Sequence, residues 1–229
     1  MICLDSEVLA ASVNPRHLGP HALHAHRLRY TTHPLRMLVV DDFLADPDPV
    51  ARFLASDRAR FEKDHALYDE HHVSAAKWDN ASPSDRFYRY GVLRLDESPA
   101  DPDGARFWQL RQAVVSSPWL RFFEVITGCP LGVAETPVVH STGPQDSLRP
   151  HNDRSLRRRV ALILYLTPDW DPAEQGGALR ITSGYGITNV ECVYNRLVMF
   201  DVDAHWGHYV TPVLGPTHRL GMGWWIADP

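Results

Sequence analysis

The chain has 229 residues, 44% of them hydrophobic, and a net charge of −5. That length suits one large domain with a substantial buried core, and the acid excess leaves no cation surplus for binding nucleic-acid phosphates. No apolar run approaches the roughly 18 residues that a membrane span needs, Asp5 and Glu7 interrupt any secretory leader, and Cys3, Cys129 and Cys192 lack CxxC spacing, which fits free thiols in a reducing cytoplasm.

Residues 1–35 are histidine-rich (His17, His21, His24, His26, His33) without metal-finger spacing, and read as a loosely packed arm or a flap over a site. Residues 36–135 read as helical support and loops. Met37 to Phe43 is a short apolar strand. Asp46-Pro47-Asp48-Pro49 then starts a helix, with a capping Asp and a proline in the first turn, and Val50, Phe53 and Leu54 give it one apolar face. Residues 62–100 mix aromatic and polar side chains irregularly, with a strand near Val92 to Leu95, and a connector this long is often functional. A second helix begins at Asp103. A third begins at Ser117-Pro118 and stops at Gly128. From about residue 136 the texture changes. Short apolar segments alternate with turns: Pro137 to His140, Arg149 to Asp153, Val160 to Leu166, Ala178 to Ile181, Asn189 to Val193, Arg196 to Phe200, His208 to Val213 and Leu220 to Ile226. Such spacing predicts a β-sandwich or barrel, with the helices packed outside it.

Within that region His151-Asn152-Asp153 falls on a predicted strand, where residues i and i+2 share a face, so His151 and Asp153 project together. His208 lies 57 residues on. Two imidazoles and one carboxylate leave about three positions of an octahedral Fe(II) open, the facial-triad arrangement. His205 is a rival third ligand. A lone HxD, taken by itself, is commonly a hydrogen-bonded surface pair.

The wider order of motifs is more specific. His151-Asn152-Asp153 is followed by Tyr165-Leu166-Thr167-Pro168-Asp169-Trp170, then Gly176-Gly177-Ala178-Leu179, Arg196-Leu197-Val198-Met199-Phe200, and His208-Tyr209-Val210-Thr211-Pro212 before Arg219. Over residues 140 to 227 this resembles the Fe(II)/2-oxoglutarate-dependent dioxygenases, in their prolyl-4-hydroxylase-like branch. The resemblance implies a mainly β fold, the double-stranded β-helix or jelly-roll, as one domain over 1–229 with supporting helices and a catalytic core from 136 on. It implies that His151, Asp153 and His208 bind Fe(II), and that Arg219 and Tyr165 hold the distal carboxylate of 2-oxoglutarate, a bidentate task suited to a guanidinium. O2 is the third reactant, with succinate and CO2 released. The His-x-Val-x-Pro context favours His208 over His205, which is placed at the entrance. Two departures stand out: Thr142 occupies a position where the family often has tyrosine, and His208 and Arg219 are eleven residues apart, slightly more than is usual. Asp153 argues against halogenation, which needs a small residue there.

The substrate is expected to be a small anionic molecule, an amino acid or a derivative of one. Arg149 and Arg157, from a run of arginines beside the HxD strand, would clamp its carboxylate, and His140, Trp206 and His205 would border it. An Ala/Arg/Asp/Pro-rich composition suggests amino-acid modification in bacterial antibiotic biosynthesis. Three alternatives stay open: hydroxylation of a protein or peptide side chain, a non-redox cupin-like metal-binding protein, and a zinc hydrolase using Glu174 or Glu191 as base.

Overall fold

The computed structural model describes residues 7–154, 157–203 and 205–229. Cys3 and the first part of the expected arm lie outside them. The helices are α1 (Glu7–Ser12), α2 (Pro20–Thr32), α3 (Asp48–Leu54), α4 (Ala75–Asn80), α5 (Pro102–Ala113), α6 (Ser117–Thr127) and α7 (Pro172–Gln175). The strands are β1 (Met37–Val40), β2 (Phe61–Leu67), β3 (Arg86–Leu93), β4 (Val138–Thr142), β5 (Ser147–His151), β6 (Arg158–Tyr165), β7 (Leu179–Ser183), β8 (Gly186–Val190), β9 (Leu197–Asp201), β10 (Gly207–Val210) and β11 (Arg219–Ala227).

All pairings are antiparallel, in the order β1-β9-β6-β11-β4-β3-β5-β10-β7-β8, with β2 on the outside of β3. The sheet curls into the double-stranded β-helix. Two apolar layers keep it curled. Outside, Val160, Leu162, Leu164, Met199, Met222, Trp224 and Ile226 meet helix residues such as Phe53, Phe107, Trp119, Phe122 and Phe123. Inside the roll, Ala161, Tyr165, Val198, Phe200, Leu179 and Ile181 pack on one another. Because β6 and β9 are covered on both faces, they read in the sequence as nearly continuous apolar runs rather than as alternation.

Residues 7–32 are not a loose arm. Helix α2 buries Leu23, His26 and Tyr30, and Tyr30 donates its hydroxyl to Asp201 at the end of β9. The segment therefore buttresses the roll, and its histidines are spent partly on packing. Its nearly uniform polarity around the helix is what hid this, since only three spaced side chains face inward. The irregular stretch 62–100 holds β2, α4 and β3. Its strand β3 lies between β4 and β5, within the sheet. Helix α3 starts at Asp48 after Pro47, with no side-chain cap from Asp46. Helix α5 starts one residue before the expected Asp103, with Asp101 accepting from the Gly104 amide, and α6 starts and stops as the sequence indicates, Gly128 ending it in the left-handed region at φ 74°.

His26 has a particular cost. Its Nε2 meets His17 Nδ1 at 3.3 Å in the interior, while His17 Nε2 lies near the carbonyls of Asp41 and Asp42. Burial first, then the neighbouring His17 and Arg29, lower the His26 pKa from 6.5 to about 4. The unfolded chain therefore binds the extra proton first as pH falls. The stability linked to this group is complete above pH 6.5 and is lost as pH falls toward 4. His26→Leu is expected to flatten the decline of Tm between those two pH values. An equally steep decline in the variant would show that other groups carry the acid sensitivity.

Candidate active site

Strands β5 and β10 pair with His151 opposite His208, and their rings lie 4.2 Å apart. Strand β5 ends at His151. Asp153 turns back from the loop beyond it with φ 55°, so the pair does not share a face through strand alternation, as the sequence suggested. A left-handed turn brings the carboxylate to the same place. Asp153 Oδ1 lies 3.3 Å from His151 Nε2, and Oδ2 lies 3.1 Å from His208 Nε2. All three ligand atoms fall within 4.8 Å of one another.

Those spacings test the fit to a metal. Two ligand bonds of about 2.1 Å at right angles put their donor atoms about 3 Å apart, close to the His–Asp distances here. The tautomer fits as well. His151 Nδ1 is 2.8 Å from the Arg149 carbonyl, which can only accept. The proton therefore sits on Nδ1, and Nε2 keeps its lone pair for a cation. Burial disfavours the Asp153 carboxylate, but the His151 and His208 rings beside it outweigh that and hold its pKa below the ordinary range. Burial also lowers the His208 pKa, which favours the neutral, ligating form.

A cavity of about 330 Å³ opens from this cluster. At one end stands Arg219, 1% exposed, its guanidinium carbon 4.8 Å from the centre of the Tyr165 ring. Among the described residues, Arg219 Nε and Nη1 and the Tyr165 hydroxyl are buried without hydrogen-bond partners. A buried unpaired cation costs several kcal/mol, and a carboxylate bound beside it would satisfy both groups. Gly177 makes room for the arginine stem: a Cβ there, at φ 69°, would lie 2.9 Å from Arg219 Cδ. His140 also lines the cavity. Burial, with the Arg219 charge adding to it, drives its pKa to about 3, so it is a neutral wall.

The other sequence candidates lie elsewhere. Arg149 donates to the Pro83 carbonyl, and Arg157 Nη2 donates to the Pro229 carbonyl at 2.5 Å. Both are exposed and neither lines the cavity. Local backbone acceptors hold the two guanidiniums, so they are turned away from the metal cluster. Trp206 and His205 line an outer groove of about 640 Å³, which meets the cavity at His151. The arginine that does reach the cavity is Arg158, on β6. Phe87, Tyr88, Tyr90, His71, His72 and Trp225 form the remaining wall. Trp225 had a legible signal, since it shares the parity of Arg219 along one strand. Arg158 had none, because four arginines fall within six positions.

Residues 137–227 match the model of the 2OG-Fe(II) oxygenase superfamily. Over 92 residues the chain is 34% identical to the mouse prolyl 3-hydroxylase OGFOD1, a stretch that is 37% of this chain and 17% of the mouse protein, so the chain spans only a small part of that relative. Among solved structures, a Trichoplax adhaerens prolyl hydroxylase, in complex with a peptide fragment of the hypoxia inducible factor oxygen degradation domain, aligns with TM-score 0.66 at 15% identity over 92% of this chain and 94% of its own. A Pseudomonas putida prolyl-4-hydroxylase aligns with TM-score 0.61 at 22% identity over 90% and 99%. Fold and motif together are similar to those of the iron- and 2-oxoglutarate-dependent dioxygenases. Residues 137–227 thus match the 2OG-Fe(II) oxygenase superfamily, and the chain is similar to its prolyl-4-hydroxylase-like branch. The cofactors of that family are Fe(II), 2-oxoglutarate and O2, and the donor set of the cluster suits the first of them.

Gly177→Ala tests the cradle of Arg219. Its 2-oxoglutarate Kd, measured by calorimetry, is expected to rise about tenfold, the equivalent of about 1.4 kcal/mol, with metal affinity kept. Gly184→Ala, where a Cβ meets nothing within 4 Å, serves as the neutral comparison. An unchanged Kd in Gly177→Ala would show that the guanidinium does not depend on this glycine.

Proposed function

We propose that the chain hydroxylates an unactivated C–H bond on a compact apolar ring carried by a polypeptide, with a prolyl residue as the leading candidate. The supporting observation is the meeting of two spaces at His151: the enclosed cavity, walled by Phe87, Tyr88, Tyr90 and Trp225, and the open groove beyond it. Tyr68 lies between them, stacked on Phe87 at 5.1 Å and donating to the Pro150 carbonyl. A ring would enter the aromatic cavity while its flanking chain followed the groove past Asn152, Ser183 and Trp206. The prolyl hydroxylases among the relatives agree with this reading.

In this proposal His151, Asp153 and His208 hold Fe(II), and Arg219 with Tyr165 binds the far carboxylate of 2-oxoglutarate. When bound, iron with 2-oxoglutarate and O2 supplies the oxidant that converts C–H to C–OH, as 2-oxoglutarate becomes succinate and CO2. The protein positions the reactants and excludes water. The neutral His140 adds no second charge to compete for the carboxylate. Tyr88, with its pKa raised by burial to about 12, and Tyr90, raised further by burial, stay protonated and offer the substrate uncharged aromatic faces.

A free amino acid is the second reading. The volume of the cavity alone favours it, although Arg149 and Arg157 are not there to clamp a carboxylate. The two separate in one assay. Purified protein with Fe(II), 2-oxoglutarate and O2 is expected to release succinate faster with proline-containing peptides than with free proline, and the peptide should gain the mass of one oxygen atom. Stimulation by free amino acids alone would overturn the polypeptide assignment. In parallel, Arg219→Ala is expected to abolish the visible charge-transfer band that Fe(II) and 2-oxoglutarate give anaerobically, and its persistence would remove Arg219 from the cosubstrate site.

A further inference from the structure

Asp153 lies beyond the end of β5, so no strand ladder orients it. Its side chain is 8% exposed and is approached from behind by a closed group of three residues. Trp225 donates from Nε1 to Asp153 Oδ2 at 2.8 Å. Arg158 lies flat on the same indole, its guanidinium carbon 3.8 Å from the ring centre. The Arg158 fork is taken up by Glu135, with Nε and Nη2 each 2.7 Å from a carboxylate oxygen, and Nη1 stops 3.8 Å from Asp153 Oδ1. The Glu135 backbone amide in turn donates to the Trp225 carbonyl at 2.8 Å. Each member thus holds the next, and the ring closes.

We propose that Trp225, Arg158 and Glu135 form a positioning device for the Asp153 carboxylate, fixing the rotation in which it meets Fe(II). The inference rests on the reading of His151, Asp153 and His208 as the iron ligands. An indole N–H only donates, so it engages one carboxylate oxygen and cannot itself compete for the cation. With Oδ2 tied, the carboxylate is kept from turning both oxygens onto the metal, and positions remain for 2-oxoglutarate and O2. Arg158 is a hazard as well as a support. Its charge is within reach of Asp153 and would compete with a cation for it. Glu135 restrains it by a bidentate pair, the strongest geometry open to a guanidinium. Trp225 and Arg158 are therefore positioning residues, acting on iron through Asp153.

The test uses the whole protein and Mn(II), followed by loss of the free-ion paramagnetic resonance signal, which needs no turnover. Trp225→Phe keeps the ring under Arg158 and removes only the N–H. Its Mn(II) Kd is expected to rise about 10–100-fold. Glu135→Gln is expected to weaken binding too, because Arg158 is released toward Asp153. The double variant Glu135→Gln/Arg158→Gln should then recover most of the lost affinity. A merely structural role predicts the opposite, with the double variant at least as damaged as the single one. Should Trp225→Phe fail to fold, the Glu135 pair still decides the matter. His208→Ala separates this inference from the reading beneath it. If His208→Ala keeps full Mn(II) affinity, the ligand assignment falls. If it loses binding while Trp225→Phe and Glu135→Gln bind as the parent does, only the positioning device falls.

Discussion

Strand β11 divides its side chains between two environments, and the site depends on that division. Leu220, Met222, Trp224 and Ile226 enter the core beneath the helices. Arg219, Gly223 and Trp225 face the cavity, with Gly221 against His140. A slip of one residue would bury the glycines among the helices and push Trp224 into the cavity, so the register is strongly specified. The two glycines lie against His140: a Cβ at 221 would come within 3.3 Å of its Nε2, and one at 223 within 3.6 Å of its Cε1. With no side chain at 221 or 223, the ring of His140 fits alongside and the centre of the roll stays hollow. One strand thereby sets the cation at one end of the cavity, the indole at the other, and the empty length between them.

Electrostatically, the cavity is a low-dielectric space with opposite charges at its ends. The Asp153 carboxylate lies with two imidazoles, and the Arg219 guanidinium lies with a phenol. Neither charge is satisfied by the other. Each therefore invites a mobile partner of opposite sign, a divalent cation at one end and a carboxylate at the other. The groups between them are kept uncharged by burial, as the depressed His140 and elevated Tyr88 and Tyr90 show. A molecule that coordinates metal at one end and carries an anion at the other is thus matched to the cavity by charge.

The sequence was most legible where chemistry and periodicity coincided. The His151, Asp153, His208 and Arg219 pattern lies in the stretch of short strands, and the double-stranded β-helix follows from it. The strand boundaries there differ from the structure by only a few residues. Helix α6, with its apolar face and terminal glycine, was equally plain. Legibility failed where the physical cause was long-range. Strand β3 mixes arginines with aromatics and does not announce a strand, because its three aromatics, Phe87, Tyr88 and Tyr90, line the cavity rather than a core. Helix α2 is polar nearly all round and is held by three buried contacts. Arg149, Arg157 and Arg158 look alike in sequence, and which one faces inward is decided by distant partners: Glu135 for Arg158, and the carbonyls of Pro83 and Pro229 for the others.

The place of β3 has a further consequence. The segment matched by the superfamily, residues 137–227, contains β4 and β5 but not the strand that lies between them, and it contains β9 but not β1. Cut out as a module, it would carry raw hydrogen-bonding edges on β4, β5 and β9, and an uncovered apolar face where α5 and α6 had been. Exposed edges of that kind pair with other chains. The recognisable catalytic signature is thus not a transplantable unit. Its autonomy is borrowed from residues 7–136, where family resemblance is hardest to see, so grafting or minimising this enzyme has to begin with the least familiar half of the chain.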